Sequence, residues 1–161
     1  MPDIKSEHCQ TISRFLNVQI SRKNELCEMA ELASVICQTT IAMINLIDRE
    51  KQYIIFKVGT QLDFLVKEDT FCQYIREGQD LLIVPDALKD QRFYTNPLVC
   101  NSPHMRFYAG VPLTTAAGLT IGSMCVLGQA PKVLSESQIL RFKMLAKRVV
   151  EILEIEFENV A

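Results

Sequence analysis

Residues 105–128 read MRFYAGVPLTTAAGLTIGSMCVLG, and this stretch decides the fold. It predicts two apolar strands, Met105–Leu113 and Leu119–Leu127, joined through a short segment that ends at Gly118. Strands so close together in the chain pair antiparallel, because a parallel pair needs a crossover of about a dozen residues or more. The sheet to which they belong is therefore expected to be antiparallel.

The same hairpin pattern precedes this stretch. Residues 41–47 read IAMINLI, which is apolar on both alternating faces, as in a central strand covered on both sides. A charged turn then leads to YIIFKV at residues 53–58. A short strand, Leu81–Val84, follows and ends at Pro85, which has no amide donor to continue a ladder. Hairpins therefore dominate the middle of the chain.

Helices are predicted at both ends. Apolar residues recur at helical spacing in two stretches within residues 1–37. Ser135 and Gln138 form a capping-box pattern at the start of a helix over residues 135–159. The order of elements indicates one α+β domain over residues 1–161, with a central antiparallel sheet of about five or six strands flanked by helices.

Composition and charge exclude several classes of protein. The chain has 161 residues, of which 48% are hydrophobic and 22% charged, as is typical of a globular domain. Its net charge of −2 favours neither nucleic acid nor a membrane surface as a partner. No apolar run approaches the roughly 18 residues that span a bilayer, and the polar start of the chain does not resemble a signal peptide. The expected localisation is cytoplasmic.

The six cysteines are even in number, but none belongs to a CxxC pair. This pattern indicates reduced thiols, since disulfides are rare in the cytoplasm. Four cysteines fall at helix or strand positions typical of small core residues: Cys9, Cys27, Cys37 and Cys125. Cys72 and Cys100 are the two whose positions leave a chemical role open.

Six strings, taken in order, resemble the GAF domain family of small-molecule sensors, relatives of the PAS fold. They are LASVICQTTIAMINLID, DTFCQYI, VPDALKDQRFYTNPLV, MRFYAGVPL, GLTIGSMCVLG and LAKRVVEILE. The chain is most similar to a subgroup found beside bacterial histidine kinases and cyclic-dinucleotide enzymes. The resemblance implies a non-enzymatic sensory domain in signal transduction.

The resemblance also implies a ligand pocket between the sheet and the long segment 86–103. A short helix at 69–77, this segment and the strand that follows it would supply the lining. The candidate ligand-binding residues are Phe71, Cys72, Tyr74, Asp86, Arg92, Phe93, Asn96, His104, Arg106 and Tyr108. Neither histidine has partners at metal-ligand spacing, so no metal site is expected. The sequence identifies neither the small molecule nor any cofactor.

Several of these residues have structural alternatives. Arg106 can bind an anionic or planar ligand, or it can pair with Asp86 or Asp90 and hold the segment against the sheet. Asp86 can cap the turn that follows it, and Arg92 with Phe93 can plug the segment with an ion pair and a ring.

Alternation along the strand after this segment predicts two unlike faces. One face carries Arg106, Tyr108 and Gly110, and the other carries Met105, Phe107, Ala109 and Val111.

An enzymatic alternative comes from the thiols. Free methionine-(R)-sulfoxide reductases are stand-alone GAF proteins that use a loop cysteine as nucleophile and a second cysteine to resolve the sulfenate. Cys100 and Cys72 lie at roughly corresponding places, and thiolate attack on a sulfoxide is chemically reasonable. However, TFCQYI around Cys72 lacks the glycine-rich setting of those enzymes, and no acidic residue follows Cys100. The non-enzymatic interpretation is favoured.

The last helix carries an apolar stripe wider than one sheet contact needs. Its members are Ile139, Phe142, Leu145, Ala146, Val149, Ile152, Leu153 and Phe157. The resemblance implies a homodimer through the terminal helices, which would pass strain to a histidine kinase or cyclic-dinucleotide enzyme output domain. The N-terminal helix carries a comparable stripe. Two alternatives remain: both stripes only cover the sheet, or the chain is a ligand-free dimerisation or protein-interaction module.

Overall fold

A sheet flanked by helices forms the framework of the computed structural model, which describes residues 23–47, 51–61, 64–66, 71, 74–75 and 79–160. The elements are helix α1 (Lys23–Cys37), strands β1 (Ile41–Ile47), β2 (Lys51–Val58), β3 (Phe64–Val66) and β4 (Leu82–Val84), the one-turn helix α2 (Pro97–Cys100), strands β5 (Phe107–Thr114) and β6 (Thr120–Gly128), and helix α3 (Glu136–Val160). Within the described residues the six strands form one sheet in the order β3-β2-β1-β6-β5-β4. The predicted α+β class is confirmed.

Every pair of neighbouring strands in this sheet is antiparallel, as the hairpin pattern predicts. The pair β5 and β6 places Val111 opposite Met124. Strand β1 lies between β2 and β6 and is buried along nearly its whole length, so its continuous apolar run is that of a central strand. The register of β1 against β2 shifts between Ile44 and Asn45.

The two faces of the sheet bury separate cores. Helices α1 and α3 pack together on one face, where strand residues such as Ile44, Ala109 and Val126 meet the helices. The predicted apolar stripe of α3 packs in this core, where its buried members are Phe142, Ala146, Val149, Ile152 and Leu153. On the other face Phe71 and the segment 86–103 (the covering segment) pack over the strands, and this is the face that carries the candidate site.

The predicted capping box starts α3. The backbone amide of Gln138 donates to Ser135 Oγ at 3.1 Å, and the Ser135 amide donates to Gln138 Oε1 at 2.8 Å. Gln138 also donates from Nε2 to the carbonyl oxygen of Ile36 at 2.9 Å. One glutamine therefore joins the start of α3 to the last turn of α1.

The structure differs from the sequence prediction in its element boundaries. Strand β5 begins two residues later than predicted, because the Met105 amide donates to Leu98 in the covering segment rather than to a strand. A 3-10 turn (Ala87–Lys89) and α2 lie within the predicted loop. The first predicted helix, before residue 23, and most of the predicted helix 69–77 lie outside the described residues. No helix in the described ranges has an apolar stretch long enough to span a bilayer.

Candidate functional site

A small cavity lies under the covering segment, on the sheet face opposite α1 and α3. Strands β1, β2, β5 and β6 form its floor, and the one-turn helix α2 and connecting residues form its other walls. Its lining consists of Ile41, Met43, Gln52, Thr60, Phe71, Leu98, Pro103, Met105, Tyr108, Cys125 and Leu127. The volume is about 20 Å³, which is room for about one water molecule. A larger ligand therefore requires the covering segment to move.

Aromatic rings close one side of this cavity. Phe71 stacks on Phe93 with ring centroids 4.3 Å apart and also contacts Tyr108 at 5.0 Å. Tyr74 meets Phe93 edge-on at 4.9 Å. The guanidinium of Arg92 lies 5.1 Å from the centre of the Phe93 ring. The structure thus brings five of the predicted site residues into one cluster, of which Phe71 and Tyr108 line the cavity.

The predicted alternation holds within β5 but not before it. Tyr108 belongs to the core on the cavity face, and Phe107, Ala109 and Val111 belong to the core beside the helices. Alternation predicts Met105 on the same face as Phe107, yet Met105 lies in the cavity wall. The reason is that residue 105 precedes the strand and follows the covering segment instead of the pleat.

Arg106 holds the covering segment against the sheet, but not through a carboxylate. Its Nη1 donates to the carbonyl oxygens of Val99 at 3.1 Å and Met105 at 2.9 Å. The predicted pairing with Asp86 or Asp90 is wrong. Both carboxylates bond elsewhere, because Asp86 accepts from a turn amide and Asp90 accepts from Arg92. Arg106 does not line the cavity.

Polar side chains of the covering segment stabilise its turns. Asp86 Oδ1 accepts from the Leu88 amide at 3.2 Å, which confirms the predicted cap. Asn96 Oδ1 accepts from the Leu98 amide at 2.8 Å at the start of α2. Neither side chain lines the cavity, and each accepts a hydrogen bond from a backbone amide of the covering segment.

Asp90 and Arg92 form a two-pronged ion pair on the outside of this segment. Arg92 Nε lies 3.0 Å from Asp90 Oδ1, and Nη2 lies 2.8 Å from Oδ2. Hydrogen bonding from Arg92 lowers the pKa of Asp90 below its ordinary value, and the same pair raises the pKa of Arg92. The predicted ion pair and ring of Arg92 and Phe93 are therefore both present.

The remaining predicted site residues lie apart from the cavity or outside the described chain. His104 is exposed and adopts a positive φ of 58°, and its amide donates to Asn101 at 2.7 Å. Cys72 lies outside the described residues. Cys100 is exposed, and its Sγ lies 3.3 Å from the Tyr94 carbonyl oxygen. Within the described chain no cluster of His, Cys, Asp or Glu is suited to a metal ion.

The cysteine predictions have mixed outcomes. Cys37 and Cys125 are buried as predicted, and burial raises the pKa of Cys37 to about 11. Cys27 is exposed, so its prediction as a core residue is wrong. It lies one position round the helix from the buried stripe that begins at Leu26. Cys9 lies outside the described residues.

Two buried amides on the cavity face were not predicted. Gln52 is 1% exposed and lines the cavity, and Asn45 is fully buried. Asn45 Nδ2 lies 3.4 Å from both Ser123 Oγ and Cys125 Sγ. The side-chain oxygens of both amides lack a hydrogen-bond partner in the described structure. The available signal for Asn45 was its position as the one polar residue of IAMINLI, whereas Gln52 stands in KQYIIFKV beside two lysines and offers no comparable signal.

A second, open groove of about 480 Å³ lies between α3 and β5 on the other side of the sheet. Its charged groups are partly bonded to the protein itself. Lys143 Nζ lies 2.8 Å from Asp80 Oδ2, and this hydrogen bond lowers the pKa of Asp80. Glu154 accepts from the Ala116 amide at 2.8 Å. The groove is a solvated surface rather than an enclosed site.

Comparison with known proteins gives three findings. The family model described as GAF domain matches residues 23–153. A cyclic di-GMP phosphodiesterase of Pseudomonas aeruginosa is 36% identical over 124 residues, which cover 76% of this chain. The chain spans only about a fifth (21%) of the length of that relative.

Solved structures share the architecture at low sequence identity. The GAF domain of an Acinetobacter phosphoenolpyruvate-protein phosphotransferase superposes with a TM-score of 0.66 at 16% identity, covering 96% of this chain and 95% of that one. The blue-light absorbing form of the Thermosynechococcus elongatus PixJ GAF domain gives a TM-score of 0.64 at 16% identity, with coverage of 85% and 89%. These two likenesses concern the fold alone.

Proposed function

The chain belongs to the GAF domain family, and on this premise we propose that it is a sensory domain of signal transduction that binds a small molecule in the cavity beneath segment 86–103. The domain covers residues 1–161, with helices within 1–37 and over 135–159 as its output elements. It catalyses no reaction itself.

The observation that carries this proposal is a cavity with one regular and one irregular wall. The floor is a hydrogen-bonded sheet, whereas the facing wall contains Leu98 of the one-turn helix α2 and the connecting residues Pro103 and Met105. Connecting chain has alternative arrangements at lower cost than a central strand does. A ligand that prefers one arrangement shifts the population towards it by its difference in affinity.

The same strands offer a route from the cavity to the helices. Met43 and Cys125 line the cavity, and their chain neighbours Ile44 and Met124 pack in the core beside α1 and α3. A displacement of β1 or β6 therefore acts on both faces at once. Gln138 links the two helices, which favours their moving together.

The candidate residues divide by role in this proposal. Phe71 and Tyr108 contact the ligand, and Tyr74 and Phe93 support the aromatic wall. Residues that shape or hold the covering segment form a second group: Asp86, Arg92, Asn96 and Arg106. Cys72 and His104 remain sequence predictions of ligand contacts.

The proposed context is a larger signalling protein. The curated relative is named as a cyclic di-GMP phosphodiesterase, which supports a cyclic-dinucleotide enzyme as the output partner, with a histidine kinase as the alternative. We propose a homodimer through the helices, where Leu32, Val35, Leu140 and Met144 expose apolar surface. The proposed location is the cytoplasm, with no nucleic-acid or membrane partner.

The decisive experiment is mass spectrometry of the natively purified protein for a retained small molecule, joined to thermal denaturation with a set of metabolites. Cys125→Leu enlarges a side chain in the cavity, and Val126→Leu enlarges its neighbour on the helix face as the matched control. We expect a retained molecule, or a raised Tm, in wild type and Val126→Leu but not in Cys125→Leu. If no molecule is retained and no metabolite raises the Tm, a ligand-free dimerisation or interaction module replaces the sensor.

The enzymatic alternative has its own assay. A reductase of the free methionine-(R)-sulfoxide type would use Cys100 and Cys72, and Cys100 is an exposed thiol that does not line the cavity. We expect no reduction of free methionine sulfoxide by the intact protein. Turnover that disappears in Cys100→Ser would overturn the non-enzymatic proposal.

A further inference from the structure

We propose that the cavity selects a neutral ligand that donates hydrogen bonds, and that Gln52 is the residue that accepts them. This inference rests on the proposed sensory function and defines the chemistry of its ligand.

The first argument is the unsatisfied oxygen of Gln52. The residue lies on β2 opposite Ile47, is 1% exposed, and lines the cavity. Within the described structure its Oε1 accepts no hydrogen bond. Buried acceptors are nearly always paired, because an unpaired one has lost water without receiving a replacement. A group placed in the cavity that carries N–H or O–H would supply what this oxygen lacks.

A second amide beside the cavity points to the same chemistry. Asn45 lies opposite Ile54, which is two residues from Gln52, so alternation puts both amides on one face of the sheet. Asn45 Oδ1 also accepts no hydrogen bond from the described residues, while its Nδ2 lies 3.4 Å from Cys125 Sγ in the cavity wall. Asn45 does not line the cavity, so Gln52 is the residue whose unpaired acceptor faces it, and Asn45 shows that this buried face of the sheet lacks hydrogen-bond donors.

The charges around the cavity argue for a neutral ligand. Among the described residues, every side chain of the lining is uncharged. The nearby guanidinium of Arg106 is bonded to the Val99 and Met105 carbonyls, and that of Arg92 is bonded to Asp90. A phosphate or carboxylate would lose its hydration here without gaining a counter-charge. Phosphate esters, cyclic dinucleotides included, are therefore poor candidates for this cavity.

The small volume of the cavity makes water the competitor of any ligand for this site. A volume of about 20 Å³ suits one water molecule, which can donate to Gln52. A ligand with an apolar body needs more room than one water molecule does, so the space must widen at the ring of Phe71, which belongs to connecting chain. It would then pack against Tyr108 and Met105 while its donors face Gln52.

Methionine-methyl NMR separates these possibilities. Met43 and Met105 line the cavity, Met124 is buried on the opposite face, and Met144 is exposed on α3. The probes are acetamide and benzamide, which donate two N–H bonds, their N,N-dimethyl analogues, which only accept, and benzoate, which is charged. The variant is Gln52→Leu, and the matched control is Gln61→Leu at an exposed position.

We expect acetamide, benzamide or both to shift the Met43 and Met105 methyl resonances saturably in wild type and in Gln61→Leu. The resonances of Met124 and Met144 are expected not to shift. The dimethyl analogues, and the amide on Gln52→Leu, are expected to bind about tenfold more weakly, the effect of one lost hydrogen bond. Benzoate is expected to give no shift.

Results that contradict this inference can be distinguished from results that contradict the proposed sensory function. Equal binding of the dimethyl analogues, or equal binding of the amide to Gln52→Leu, overturns the donor requirement and leaves the cavity as a ligand site. Binding of benzoate overturns the neutral class. If neither amide shifts Met43 or Met105, water alone occupies the cavity and this inference fails, whereas retained-molecule mass spectrometry judges the sensory function separately.

Discussion

The side chain of Tyr108 lies across Gly110 on the same strand, so closely that a Cβ at position 110 would overlap the tyrosine hydroxyl. Residues two apart on a strand share a face, and here the ring occupies the space that a side chain at 110 would need. Tyr108 is 1% exposed and its ring meets Phe71 at 5.0 Å. The aromatic wall of the cavity thus depends on a residue that has no side chain.

Gly110→Ala is expected to displace the Tyr108 ring and to lower the free energy of unfolding by about 1–3 kcal/mol, as overpacking of a core does. Urea denaturation measures the loss. In a Tyr108→Leu background the same alanine is expected to cost clearly less, which a double-mutant cycle quantifies. An equal loss of unfolding free energy in both backgrounds would mean that the Tyr108 ring is not the reason why position 110 requires glycine.

Gln52→Leu is expected to raise the free energy of unfolding of the ligand-free protein by about 1 kcal/mol. The reason is that leucine removes a buried acceptor without a partner and keeps an apolar side chain of similar size in the wall. Urea denaturation of protein stripped of small molecules checks this. A loss of stability instead would mean that water already satisfies the amide.

Arg106→Met is expected to lower the free energy of unfolding by about 1–2 kcal/mol, because the guanidinium no longer bridges Val99 to the sheet. Hydrogen exchange at the amides of Val99 and Cys100 should accelerate, since α2 loses its attachment. The matched control is Arg92→Met, which removes a partly exposed pair and should cost under about 1 kcal/mol. If the two variants cost the same, Arg106 is not the attachment.

Stability is expected to depend on Asp90 in a defined pH range. Its folded-state pKa is lowered by Arg92 from the ordinary 3.8, so the stabilisation is complete above that value and is lost as the pH falls through the lower folded-state pKa. The pair is partly exposed, and its contribution is under about 1 kcal/mol. The stability difference between wild type and Asp90→Asn should therefore be present at pH 7 and vanish in strong acid. A difference that persists there would contradict the ion pair as its source.

Thiol reactivity is expected to divide the four described free cysteines by burial. Cys27 and Cys100 are exposed and should react with iodoacetamide at pH 8 in the folded protein. Cys37 and Cys125 are buried, and the pKa of Cys37 is about 11, so both should react only after unfolding. Peptide mapping by mass spectrometry measures each site. Fast labelling of Cys125 would mean that the cavity opens to solvent.

The sequence predicted the sheet because hairpins and helix caps are local. Strand alternation identified Tyr108 as facing the site, and the Ser135 capping box located the start of α3. The partner of Arg106 was not predictable, since the carbonyl oxygen of Val99 carries no signal in the sequence. Gln52 was missed because its burial depends on the register of β2 against β1, which residue spacing does not determine.

The amide of Gln138 uses its oxygen for its own helix and its nitrogen for another. The start of α3 and the end of α1 are consequently connected through one side chain, so a movement of either helix acts on the other. A rotation large enough to break the hydrogen bond to Ile36 would also pull the amide away from the Ser135 backbone, so the two bonds are expected to break together. Gln138→Glu keeps the oxygen and lacks the nitrogen, so it would uncouple the two helices while α3 retains its cap.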